Sequence, residues 1–358
     1  MPSRRSFLAG IAVSGLAPTL TWADAGDPRY LAAARMPDGL FRLFGLDKDV
    51  QPIFSLALPA RGHAAASHPQ RPEAVAFARR PGTFAVVLNC VTGRAVAELQ
   101  APEGRHFYGH GVFSADGAVL YTTENAYDQG EGRVGLWAAN DGYRRMGEIT
   151  SGGIGPHDIA RLPGTETLVV ANGGIDTHPY TGRQKLNIPT MQPNLCYLTG
   201  TGQINEIVQL APEHRLNSIR HLAVRRDGLV AFGCQWQGDL AEVPPLLGLH
   251  KRGRPPRLLS GNPAEQAKTA GYVGSVAFSA DQRSVGVTAP RGGRSQIFDV
   301  ATGALSATIL SGDICGIAKG ADGFVFTTGE GLSGAPGQLV QSGAARVSWD
   351  NHLVDRQV

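Results

Sequence analysis

Five of the ten histidines open copies of one sequence frame. In the clearest copy, His110-Gly-Val-Phe-Ser-Ala-Asp-Gly117, the histidine is followed six and seven residues later by Asp116 and Gly117. His157 leads to Pro163-Gly164 and His221 to Asp227-Gly228, while His63 leads to Pro69. His352 stands near the C-terminus at what would be the same place in the frame, and Ser275 and Gly316 head two further copies without an imidazole. Imidazole binds metals in its neutral form and suits Zn, Cu, Fe and Ni. A ring made of His63, His110, His157, His221 and His352 would therefore be a metal site, with iron or copper as first candidates and zinc as another. The ring has no carboxylate of its own, which argues against Mg or Ca. Asp158 and Glu124 are the nearest acids that could join it, and Cys315 would add sulfur only if it turned inward.

The elements that would carry these residues follow from the same frame. Each copy reads as a short apolar run, a turn signal and a second apolar run, the pattern of a strand, a tight turn and a strand. The frame recurs at positions 63, 110, 157, 221, 275 and 316, at intervals of 47, 47, 64, 54 and 41 residues, close to the period of roughly 40 to 50 of four-stranded propeller blades. In blade one the spacing predicts strands over 63–67, 73–79, 83–89 and 95–99.

Six blades are counted directly, and the chain ends supply a seventh. Residues 30–36, 40–46 and 53–58 read as its second, third and fourth strands, and the segment from His352 to the C-terminus as its innermost strand. Pairing the two ends covers sheet edges that an open ring would leave bare. The expected fold is all-β, a seven-bladed β-propeller occupying residues 26–358 as one domain. Histidine then heads five successive blades, the seventh and the first to fourth.

Inner strands of a propeller line its channel and run the same way, so the five rings share one height at one mouth. The loops after each second strand return to that mouth and carry unusual polar residues. The expected rim or lid comprises Glu124, Asn172, His178, Arg183, Trp236 and Arg291. Residues 172–187 form the longest polar departure from the repeat, and loops of that length are commonly functional. Arg183 and Lys185 read as solvated charges, with anion recognition as the sharper alternative. Arg220 should point away from His221 if its strand is regular. Residues 251–268 read as a surface excursion, and His68, His106, His214 and His250, off the frame, as exposed.

Composition agrees with a turn-rich β-protein: 358 residues, 47 glycines and only 18% charged residues. A net charge of +3 without basic clusters interleaved by aromatics argues against a nucleic-acid partner. Ser3-Arg4-Arg5-Ser6-Phe7-Leu8, a short apolar stretch and Ala23-Asp24-Ala25 read as a twin-arginine signal peptide over residues 1–25. The expected location is the periplasm, with no membrane span in the mature chain, because no apolar run approaches about 20 residues. Twin-arginine substrates fold before export, so Cys90, Cys196, Cys234 and Cys315 read as buried free thiols. A Gly-x-Ser-x-Gly elbow, a phosphate-binding Gly-rich loop and a Cys-x-x-Cys-His haem motif are all missing from the sequence.

Several longer motifs carry a resemblance. They are Gly109-His-Gly-Val-Phe-Ser-Ala-Asp-Gly117, Thr123-Glu-Asn125, Gly155-Pro-His157, Ala171-Asn-Gly-Gly-Ile175, Thr177-His-Pro179, Met191-Gln-Pro193, Ser218-Ile-Arg-His-Leu222 and Trp349-Asp-Asn-His-Leu353. Together they resemble a domain-of-unknown-function family of twin-arginine-exported bacterial proteins, over nearly the whole chain after residue 25. The resemblance implies gene neighbours that are imelysin-like iron-regulated proteins and a di-haem oxidoreductase, and so a role in periplasmic iron or copper handling with such a protein as partner. Asn194 and Ala126 depart from residues common in that family, serine and an acid respectively.

Three readings stand at this point. The ring holds a metal for handling or uptake; or the same metal serves a periplasmic oxidoreductase or hydrolase; or the histidines only tie blades together and the polar face is a scaffold for an imelysin-like partner.

Overall fold

A computed structural model describes residues 20–79, 83–182, 184–341 and 346–356, and most of the expected leader lies outside that set. Seven four-stranded antiparallel sheets are arranged as the blades of a propeller. Blade one comprises Gly62–Ser67, Glu73–Ala78, Phe84–Asn89 and Ala95–Gln100, within a residue or so of the spacing read from the sequence. The frame's turns form as the residue types require. In blade two the Asp116 carboxylate accepts from the Ser114 hydroxyl and the Ala118 amide. Gly117 follows at φ +75°, where a Cβ would also lie 2.4 Å from the His68 ring of the blade before.

The seventh blade is closed by both chain ends, as expected. Its innermost strand, Ser348–Asp355, pairs antiparallel with Tyr30–Arg35 from the N-terminal side, in the register Tyr30↔Asp355, Leu31↔Val354 and Ala34↔Trp349. Arg29 and Asp355 clasp the seam at 2.8 Å, and the Tyr30 hydroxyl donates to the Lys319 carbonyl of blade six. Ahead of this strand, Trp22–Ala25 forms a 3-10 turn with Trp22 buried. The Trp22 indole donates to the His68 carbonyl at 2.9 Å and lies under the Arg356 guanidinium.

The apolar core lies between blades. Val75, Phe77 and Val87 of blade one, for instance, pack on Phe107, Leu120 and Trp137 of blade two. Outer strands are largely exposed, with Leu99 and Val208 the single buried residues of the outer strands of blades one and three. Among the described residues no helix is long and apolar enough to cross a membrane.

Two expectations need correction. Residues 251–268 are not a plain excursion, because Arg257–Leu259 is the fourth strand of blade four and a short helix, Pro263–Ala267, follows it. His68, His106 and His250 are buried rather than exposed. His68 bonds to the Gln70 and Arg71 amides and the Gly117 carbonyl, and the His250 ring meets the Tyr197 hydroxyl at 2.7 Å. All four cysteines are buried free thiols.

Candidate metal centre

The histidine-bearing inner strands are irregular at the frame's opening. In blade one His63 and Ala64 together oppose Phe77, between the pairs Gly62↔Ala78 and Ala65↔Ala76. In blade two residues 108–110 oppose Thr123, and in blade three His157 is the extra residue between Pro156 and Asp158. In blade seven residues 350–352 oppose Ala33. In blade four the extra residue is Arg220, next to His221. The strand is therefore not regular at Arg220, so strand alternation does not set the direction of its side chain away from His221. A bulge inserts a residue, bends its strand and re-aims side chains. Blade five, headed by Ser275, keeps a regular register, and in blade six the extra residue is Cys315.

These bulges bring five imidazoles from five blades into one cluster. Ring centroids lie 4.6 Å apart for His63 and His352, 4.6 Å for His110 and His352, 5.0 Å for His110 and His157, and 4.8 Å for His157 and His221. The close packing explains a glycine: Gly109 takes φ +99°, and a Cβ there would sit 2.5 Å from the His63 ring. His63, His110, His221 and His352 are buried, and His157 is partly so.

Two sets of three, His63/His110/His352 and His110/His157/His221, each offer nitrogens within 4.8 Å of one another. Three nitrogens about 2.0–2.1 Å from a shared ion lie roughly 3.4 Å apart in a tetrahedral site. Small rotations of the rings would close either set around a metal.

Electrostatics keep His63, His157, His221 and His352 in the ligating form. Burial pushes His63 down to about 4, against the pull of Asp350. Burial, with the neighbouring rings, sets His157, His221 and His352 well below the ordinary imidazole range, and the Arg220 charge adds to this at His157 and His221. A neutral imidazole has one lone-pair nitrogen and one N–H. Yet His110 Nε2, His157 Nδ1, His352 Nε2 and both nitrogens of His221 are buried without a hydrogen-bond partner. Orphaned buried polar atoms are uncommon and costly in a purely structural role.

The carboxylates flank the cluster and are already committed. Asp158 Oδ1 meets His110 Nδ1 at 3.0 Å, and its other oxygen accepts the Leu222 amide at 2.9 Å. Burial raises the Asp158 carboxyl, but the His110 ring and the Leu222 amide outweigh it and hold the group below the usual range. Asp350, which the sequence reading missed, lies 3.8 Å from His63 Nδ1 and is bound by Arg61 at 2.6 Å and Arg79 at 3.3 Å. Burial pushes the Cys315 thiol up beyond the usual range, and it faces the Trp349, Asp350 and Thr327 carbonyls. Among the described residues the cluster is therefore imidazole with a carboxylate behind it, and no thiolate.

The residues expected at the rim serve different ends. Glu124 is fully buried and held in a two-bond clasp by Arg145, with Thr122 donating to it as well, so it is corrected from rim acid to internal ion pair. Asn172 is buried too, bonded to Ser151 and Asn194, and braces blade three against the strand before it. Both His178 nitrogens are engaged, by Asp128 and by the Tyr180 amide, which leaves no free lid ligand there. The Trp236 indole donates to the Asp239 carbonyl and is buried. Arg291 lies exposed with its guanidinium 4.3 Å from the Tyr272 ring centre. Arg183 falls outside the described residues.

The family described as "Protein of unknown function (DUF1513)" matches residues 56–356, and the chain belongs to it. No curated protein sequence matches the chain. Among solved structures, a chain of Kuenenia stuttgartiensis hydrazine synthase has a TM-score of 0.61 at 13% identity, covering 84% of this chain and 93% of that one. At that identity the likeness is one of fold.

Proposed function

We propose that this DUF1513 protein holds one transition-metal ion, iron or copper with zinc as the third candidate, in the cluster of His63, His110, His157, His221 and His352. The observation that carries the reading is the set of buried imidazole nitrogens without partners, converging from five blades. If the rings only tied blades together, those nitrogens would be hydrogen-bonded, as in His68, whose Nε2 meets the Gly117 carbonyl across the blade seam while its Nδ1 accepts from the Gln70 and Arg71 amides of its own turn.

The ion count follows from His110. It belongs to both sets of three, and its Nδ1 faces Asp158. Only Nε2 remains to ligate, and one lone pair serves one ion. The two sets are therefore alternative or merged seats for a single metal. The carboxylate behind His110 fixes its tautomer and strengthens it as a donor.

In this reading the protein works in the periplasm, reached by the twin-arginine route, in iron or copper handling. The partner proposed is an imelysin-like or di-haem protein, on the ground of the resemblance set out above. The test is metal retention: mature protein, loaded with iron or copper and desalted, keeps near-stoichiometric metal, and the His110→Ala/His157→Ala protein keeps none. Equal retention by both would refute the reading.

A further inference from the structure

The all-imidazole cluster poses a charge problem at the channel mouth. Neutral histidines do nothing to offset the charge of a bound cation. Of the two carboxylates beside the cluster, Asp350 is neutralised by Arg61 and Arg79, and Asp158, bonded to His110 and the Leu222 amide, offsets only one of a divalent ion's two charges. Above the rings, moreover, the loops contribute more positive charge rather than less.

Lys185, from the long loop of blade three, rests its ammonium on the Gln237 side-chain oxygen. Gln237 donates in turn to the Gln235 carbonyl, and Gln235 bridges to Tyr272. The Tyr272 ring carries the Arg291 guanidinium, and its hydroxyl accepts from Asn351, the neighbour of His352 across the channel. Beneath them Arg220, the bulge residue beside His221, bonds through Nε to Ser218. Among the described residues, neither Lys185 nor Arg291 has a carboxylate partner, whereas Arg61, Arg105, Arg145, Arg225 and Arg294 do. Partial burial and the charges of Arg220 and Arg291 both disfavour the Lys185 ammonium, so the three cations share one field.

We infer that this basic mouth, Lys185 and Arg291 over Arg220, binds a small polycarboxylate anion that completes the metal's coordination from the loop side. The inference rests on the proposed metal site. Its chemistry is charge-assisted hydrogen bonding of carboxylates by arginine and lysine, joined to a cation whose protein ligands are neutral. A polycarboxylate fits better than a monovalent anion because one carboxylate can bridge the cations while another reaches the ion. Metal would then enter and leave as its carboxylate chelate.

The experiment titrates citrate, at ionic strength matched with chloride, into apo-protein and metal-loaded protein, native and Lys185→Gln/Arg291→Gln. Both substituted side chains are exposed, and matching melting temperatures would confirm that the variant is folded. The expected result is citrate binding about tenfold or more tighter to the loaded form, weakened about tenfold or more by the double substitution, with metal retention unchanged. Citrate binding that the substitutions leave unchanged, or no citrate binding to a form that does hold metal, would overturn the inference. Lys185- and Arg291-dependent citrate binding by a protein that takes up no metal would refute the metal site, and with it the co-ligand role, while leaving the anion site standing.

Discussion

His110 Nδ1 and Asp158 Oδ1 stand 3.0 Å apart, across the seam between blades two and three, and Asp158 is itself fixed by the Leu222 amide of blade four. One carboxylate thus ties three blades to the orientation of the one histidine that both candidate sets share.

Asp158→Asn should weaken metal binding by about 10–100-fold, the usual cost of losing an outer carboxylate behind a ligating histidine. Competition against a chromogenic chelator measures it. Because the amide keeps the shape and can still accept from Leu222, the melting temperature of the apo-protein should change far less than the affinity.

Protonation should compete with folding as well as with metal. The buried rings hold their folded pKa values below the unfolded value near 6.5, so the unfolded chain binds more protons and stability falls as pH drops. For His63 that loss begins near 6.5 and is complete near 4. Each such histidine contributes about 1.4 kcal/mol per pH unit within its window. Urea melts of apo-protein at pH 7.5 and pH 5 should show a clear fall in midpoint, and bound metal should reduce it. A pH-independent midpoint would mean the rings are not held neutral.

Single-histidine variants should be unequal. His110→Ala removes a ligand from both sets and should abolish retention, whereas His63→Ala and His221→Ala each leave one set of three whole. Those two should weaken binding without ending it. Two metals per chain, with one lost in each of these variants, would contradict a shared ligand.

Trp22 offers a stability test separate from the metal. Its buried indole spans from the N-terminal turn to the His68 carbonyl, with Arg356 against it. A chain beginning at Gly26 lacks that contact and should be less stable than one beginning at Leu20 by about 3–5 kcal/mol, the range for loss of a large buried aromatic. Thermal melts of the two chains would decide it. Equal melting would show that the turn adds nothing.

The blades were legible in the sequence because each carries its own punctuation. Asp116-Gly117 and Asp227-Gly228 mark turns, with strand-like runs on either side. The closing blade followed from counting strands at both ends. The bulges were not legible, since an inserted residue shows only against its paired strand, and with them went the direction of Arg220. Asp350 was missed because it sits two residues before His352 yet meets His63 of the next blade, a contact that depends on the bulge over residues 350–352. Its place in Trp349-Asp-Asn-His-Leu353 was the available signal. Glu124 was misplaced for a similar reason: its partner Arg145 lies two strands further along the same sheet, and the pair is formed by sheet geometry rather than sequence proximity.

The most direct test of the metal centre is X-ray absorption spectroscopy on mature protein loaded with iron or copper and desalted. The account predicts one metal per chain, a first shell of nitrogen or oxygen with the multiple-scattering signature of at least three imidazoles, and no sulfur or metal–metal scattering. A sulfur ligand, fewer than three imidazoles, or no retained metal would contradict it.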